Sequence, residues 1–156
     1  MKMSKEMNSP IIVYFALAME GINPKDVKAI FLKAVNSLET KGFKIANRHI
    51  LESHSLKPKN SLEETNKVVN DDLKVLKGCD ILLVDYSIPN RNYVGATCEI
   101  VYAYLWKKPI IVYVGESDND QRLWLRYHAT HICNTLEQAL RYLIENYTQV
   151  NRRTPS

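Results

Sequence analysis

The segment Asp80-Ile81-Leu82-Leu83-Val84-Asp85 restricts the fold more than any other part of the chain. Four consecutive apolar residues between two aspartates leave no polar face. Such a strand has to be covered on both sides, as in the middle of a parallel sheet. Helical patterns flank it. Asn23-Pro24 has the form of a cap followed by a first-turn proline, and Val27, Ile30, Phe31, Ala34, Val35 and Leu38 follow at helical spacing, with Gly42 as the expected stop. Ser61-Leu62-Glu63-Glu64 reads as a capping box for a helix running to about Lys77 and ending at Gly78. Further strands are expected at Ile11–Phe15, Phe43–Asn47, Pro109–Val114 and Thr130–Cys133. Further helices are expected at Gly95–Trp106, Asp120–Tyr127 and from the Thr135 cap to Tyr147. Residues 48–60, with Arg48, His49, His54 and Pro58, and residues 86–94 read as polar loops.

Strands that alternate with helices imply βαβ units with right-handed crossovers. The expected class is α/β: a flavodoxin-like or Rossmann-like, doubly wound five-stranded parallel sheet in a three-layer sandwich, with strand order 2-1-3-4-5. Ligands of such sheets bind at the carboxyl ends of the strands, where the strand order reverses. That rule nominates Tyr14–Gly21 after strand 1 and Asp85–Glu99 after strand 3.

A length of 156 residues suits one domain, expected over residues 1–150, with residues 151–156 as a disordered tail. No window approaches the ~20 apolar residues that span a bilayer. The apolar stretch Ile11–Met19 reads as a strand rather than a signal peptide, so a cytoplasmic protein is the default expectation. The net charge of +4 is diffuse, which gives no case for a nucleic-acid polymer or a membrane as partner, yet suits a small anionic substrate. Cys79, Cys98 and Cys133 stand in apolar contexts and read as buried free thiols, Cys98 being singled out because it precedes Glu99. No CxxC or Cys/His spacing suggests a metal. The absence of GxGxxG, and of a Ser/Thr/Gly-rich loop after strand 1, argues against nicotinamide and flavin, so no cofactor is expected.

Three acids are expected near the crevice: Asp72, Asp85 and Glu99. Val94-Gly95-Ala96-Thr97-Cys98-Glu99 opens a helix directly after the loop that follows strand 3. A carboxylate near a helix N-terminus meets backbone N–H groups and the positive end of the macrodipole, so Glu99 is expected to be ionised, the state a nucleophile needs. The plainer alternative is a glutamate that merely favours a first helical turn. Asp85 either faces the crevice or caps its own loop. Asp71 lies about 100° round the helix from Asp72, so only one of the two can face the site.

Taken together, Asp72-Leu73, Asp80–Asp85, Ile88-Pro89, Val94-Gly95 and Glu99-Ile100-Val101-Tyr102-Ala103 resemble the nucleoside 2-deoxyribosyltransferase family. Val13-Tyr14-Phe15-Ala16 resembles that family's first strand, and the likeness runs from about Ile11 to Val114. The resemblance implies that Glu99 attacks the anomeric carbon and releases the base, after which a second base or water takes the sugar. It further implies that Asp72 orients the substrate or handles the leaving-group proton, and that Tyr14 holds one oxygen of the nucleophile. The resemblance nominates Phe15, Ala16, Asp85, Ser87, Arg91, Asn92, Tyr93 and Gly95 around a nucleoside or nucleotide and a free nucleobase. Sites shared between subunits make a homodimer or larger homo-oligomer an expectation.

The chain also departs from the family pattern. Val101 stands where glycine is usual, and Tyr93 stands where transferases often carry an aspartate. The turn after strand 1 lacks glycine until Gly21, and the C-terminal tail is unlike the one that completes a neighbour's site. A related branch hydrolyses deoxynucleoside 5′-monophosphates, for which Arg91 or Asn92 could serve the phosphate or 5′-hydroxyl. Trp124-Leu125-Arg126-Tyr127-His128 is rich in side chains that recognise bases and phosphates, Trp124 and Arg126 above all. The same segment could equally be core, surface or an oligomer contact. Three functions remain open: a deoxyribosyltransferase-like enzyme, a 5′-monophosphate N-glycosidase, and a non-catalytic nucleotide-binding module on the same fold.

Overall fold

In the computed structural model, which describes residues 9–48 and 61–147, the expected central strand is β3, Ile81–Asp85, and all five of its residues are buried. Around it lie β1 (Ile11–Ala16), α1 (Pro24–Glu39), β2 (Phe43–Ile45), α2 (Leu62–Lys77), α3 (Val94–Leu105), β4 (Ile110–Tyr113), α4 (Leu123–His128), β5 (His131–Cys133) and α5 (Leu136–Asn146). The five strands form one sheet in the order β2-β1-β3-β4-β5, every pair parallel. This is the flavodoxin-like order expected from the sequence. His49, His54, Pro58 and the 151–156 tail lie outside the described residues.

Period-two alternation divides the core. Val13, Phe15, Ile81, Leu83, Ile111 and Tyr113 pack under α1 and α5, against Phe31, Leu38, Leu140 and Leu143. Tyr14, Ala16, Leu82, Val84, Ile110 and Val112 pack on the opposite face, against Leu76, Ile100, Ala103 and Leu125. Each fully buried Leu, Ile or Phe here contributes roughly 1.5–3 kcal/mol.

Local signals set the helix starts. Asn23 accepts from the Lys25 N–H, Ser61 from the Glu64 N–H, and Thr135 completes a reciprocal capping box with Gln138. Other boundaries shift. α1 stops at Glu39 with Thr40 as its cap, and Gly42, at φ 87°, serves the left-handed turn into β2 rather than the helix end. β2 ends at Ile45, two residues short of the expected Asn47. The expected helix at 120–127 splits into a 3₁₀ turn, Asp118–Gln121, and α4, because Arg122 between them is extended.

The cysteine expectation needs one correction. Cys79 is buried and Cys133 half-buried, and burial pushes both thiols up to about 11, but Cys98 is exposed on α3. Its apolar neighbours cover other faces of the helix, and its own position faces outward. No helix among the described residues is long and apolar enough to cross a membrane.

Candidate active site

Tyr14 on β1, Asp72 on α2 and Glu99 on α3 meet on the α2–α3 side of the sheet. The Tyr14 hydroxyl donates to Glu99 Oε1 at 2.9 Å, spanning 85 residues of sequence. Tyr14 is buried, and burial, then the Glu99 and Asp72 charges, push its phenol far above the ordinary tyrosine range. It therefore stays protonated and acts as a fixed donor. Asp72 is half-buried, while its neighbour Asp71 is exposed and paired with Lys67 at 2.9 Å. The helical twist thus sends one carboxylate to the site and the other to solvent.

Glu99 differs from its expectation in one respect. Its carboxyl is raised to about 7: burial lifts it, the Tyr14 hydrogen bond pulls it down, and Asp72 adds a further upward push. α3 begins at Val94, so Glu99 is its sixth residue, beyond the first turn where free N–H groups and the dipole act most strongly. Burial outweighs the helix terminus, and the carboxylate is poised near neutrality rather than fully ionised.

The other nominated positions divide between the two faces of the sheet and its surface. Phe15 points to the α1–α5 face, stacked on Phe31 at 5.9 Å, so only its backbone adjoins Tyr14. Ala16 is buried at the end of β1. Asp85 shares the parity of Ile81 and Leu83, and its Oδ1 accepts from both the backbone N–H and the hydroxyl of Ser87. Asp85 and Ser87 thereby close the start of the loop, and Asp85 does not join Asp72 and Glu99. Tyr93 is buried: its ring stacks on Tyr86 at 4.1 Å and its hydroxyl accepts from the Ile88 N–H at 2.8 Å. Arg91 donates to the Glu20 carbonyl and lies 5.8 Å over the Tyr93 ring, tying the β1 and β3 loops together. Asn92 is exposed. Gly95 is exposed too, and a Cβ there would meet nothing within 4 Å. Trp124 is 78% exposed and lines a cavity of about 410 Å³ with Tyr86, Thr97, Arg122 and His128. Thr97 and Val101 place that cavity on a face of α3 turned away from Glu99, by the ~100° per residue of a helix. Arg126 is exposed on α4 and does not line that cavity.

Two buried amides had no recognisable sequence signal. The Asn119 side chain donates to the carbonyls of Tyr86 at 2.6 Å and Ile88 at 3.2 Å, bracing the β3 loop. Asn47 braces β1 by accepting from the Phe15 N–H and donating to the Phe15 carbonyl. Each is a lone asparagine whose partners are backbone atoms more than 30 residues away. Among the described residues no group of three His, Cys, Asp or Glu gathers to hold a metal ion.

No protein-family profile matches the chain, and no curated protein does. Solved structures do. A 2-deoxyribosyltransferase from Bacillus psychrosaccharolyticus superposes with a TM-score of 0.60 at 19% identity, over 84% of this chain and 91% of that one. A CMP N-glycosidase of Clostridium botulinum gives 0.54 at 20%, over 85% and 96%. A conserved protein of Enterococcus faecalis V583 gives 0.62 at 13%, over 87% and 98%. The chain therefore has the fold shared by a 2-deoxyribosyltransferase and a CMP N-glycosidase.

Proposed function

We propose that this chain is an enzyme that cleaves the N-glycosidic bond of a (deoxy)nucleoside through a covalent glycosyl–Glu99 intermediate and passes the sugar to a second base. The observation that carries the reading is the buried Tyr14 hydroxyl held 2.9 Å from Glu99, with Asp72 beside both. Glu99 attacks C1′ as a carboxylate. The C1′–N bond breaks, its electron pair leaves with the base, and a proton joins that base, with Asp72 placed to manage it. A nitrogen of the incoming base then attacks C1′, its N–H proton passes to Asp72, the ester to Glu99 breaks and the carboxylate is restored. Tyr14 pins one carboxyl oxygen and leaves the other aimed at the sugar. The shared fold with a 2-deoxyribosyltransferase supports the same reading.

A specific observation favours hydrolysis of a nucleoside 5′-monophosphate as the second reading. Tyr93 stands where the resemblance places a transferase aspartate, and its hydroxyl is engaged with Ile88. Water in place of the second base would then complete the cycle, as suits a fold shared with a CMP N-glycosidase. Chromatography of the protein incubated with deoxynucleosides and their monophosphates, with and without a free second base, separates the two. Transfer yields a new nucleoside carrying the added base. Hydrolysis yields free base and sugar product alone, and Arg91→Ala should then erode a preference for monophosphate. Conversion of nothing in the panel would sink both readings.

The same proposal includes self-association. Glu99 is the one charged residue in α3, and Val94, Tyr102, Tyr104 and Leu105 are exposed on it, beside exposed Leu123, Trp124 and Tyr127 of α4. An apolar surface of this kind calls for a partner. Sedimentation equilibrium should return a multiple of 18.0 kDa, and Leu105→Glu should shift the protein toward the single-chain mass. A wild-type protein that sediments as one chain at micromolar concentration would refute it.

A further inference from the structure

The β1–β2 ladder stops one rung too early for the residue that follows Tyr14. Register between the strands ends at Val13↔Ile45, and the final backbone bond runs from the Ala46 N–H to the Val13 carbonyl at 2.9 Å. Phe15, two residues on, turns its N–H and carbonyl to that same side, because alternate residues of a strand present their peptide groups alike. No backbone of β2 is there to meet them, since the chain has left the sheet. The side chain of Asn47 meets them instead. Its Oδ1 accepts from the Phe15 N–H at 2.9 Å and its Nδ2 donates to the Phe15 carbonyl at 2.7 Å. The carboxamide reproduces the donor–acceptor pattern of a peptide group and is fully buried, as is Phe15. Tyr14 is the preceding residue. On its other side β1 is paired to β3, through Tyr14↔Leu82 and Phe15↔Leu83.

We propose that Asn47 is a positioning residue for Tyr14 and Glu99, a side-chain rung that locks the end of β1 so that the Tyr14 hydroxyl meets the Glu99 carboxyl. The proposal rests on the reading of Glu99 as the nucleophile for its kinetic consequence, but its structural consequence stands apart. Among the described residues, the titratable groups that face Glu99 are Tyr14 of β1 and Asp72 of α2. Of these, Tyr14 holds the carboxyl down by its hydrogen bond, so a β1 that shifts should let it rise. Misplacing a catalytic contact by a fraction of an ångström costs rate more than substrate affinity.

The test measures Asn47→Ala and Asn47→Asp beside wild type, with glutamate ¹³C-labelled at its carboxyl. The readouts are kcat, KM and the midpoint of the Glu99 titration by NMR. Asn47→Ala should lower kcat about tenfold or more, leave KM within about threefold, and raise the Glu99 midpoint by about half a unit or more. Asn47→Asp is isosteric, and its buried, neutral carboxyl can both accept from and donate to Phe15, so it should restore all three values. If Asn47→Ala does not fold, Asn47→Ser, whose hydroxyl is too short to span both groups, is judged by the same criteria. Wild-type kcat and midpoint in a merely less stable alanine variant would overturn the proposal, as would an aspartate variant that restores neither. Should the wild type turn over no nucleoside, the functional reading fails while the midpoint still decides the role of Asn47.

Discussion

Glu99→Gln should abolish turnover and make the protein more stable at pH 8. The two halves come from one fact, a carboxyl placed where its charged form is poorly solvated. Glutamine keeps the size of the side chain and an Oε1 that can accept from Tyr14, so the packing of α3 on β1 is retained. It cannot form a glycosyl ester, and loss of a covalent nucleophile should lower kcat by roughly 10⁴-fold or more. Its amide also carries no charge to desolvate. The carboxyl moves from an ordinary value of 4.5 to about 7, a cost of about 3 kcal/mol at pH 8 that the amide avoids. For a chain of this length that is on the order of 10 °C in Tm. Rapid-quench turnover and thermal unfolding at pH 8 check the two halves. A glutamine variant that keeps more than a tenth of wild-type kcat would remove Glu99 from the nucleophile's role. A variant less stable than wild type would show that its burial is not a strain. Retained ligand affinity without turnover in either protein would move the chain to the binding-module class.

The sheet was the most legible part of the chain because its evidence is redundant. Ile81–Val84 has no polar position, and the parity of Val13, Phe15, Ile81 and Leu83 against Tyr14, Leu82 and Val84 matches the two cores residue for residue. Helix-sized crossovers make the strands parallel, and five such strands suit the flavodoxin-like order that the sheet has. Asp85 shows where such reasoning runs out. Its parity with Ile81 and Leu83 could have been read in advance, but which face carried α3, and hence Glu99, could not. The raised carboxyl of Glu99 is hidden from the sequence for a related reason. A helix start can be read to within a residue or so, whereas burial depends on β1 and α2 folding against the helix. Asn47 lay furthest from reach. Its role exists only because β2 ends at Ile45 while β1 continues to Ala16, a mismatch of strand lengths that no local pattern records.

Activity and stability should respond to pH in opposite senses, which separates a functional carboxyl from a structural one. The nucleophile must be ionised, so kcat/KM should fall about tenfold per pH unit below about 7 and level off above it. The folded pKa of about 7 lies above the ordinary 4.5, so between these values the native state holds more protons than the unfolded one. Linkage then makes this group's contribution to stability decline as pH rises through that window, by about 3 kcal/mol in all, with no further change above it. A salt-bridged carboxylate would do the reverse, as exposed Asp71 does locally, its carboxyl held below the ordinary range by the hydrogen bond from Lys67. Subtracting the Glu99→Gln stability profile from wild type isolates the Glu99 contribution from every other titrating group. A difference curve that falls between about pH 5 and 7, with an acid limb of kcat/KM at the same midpoint, would assign both effects to one carboxyl. A flat difference curve beside a persistent acid limb would place the essential base at another residue, with Asp72 the first to examine.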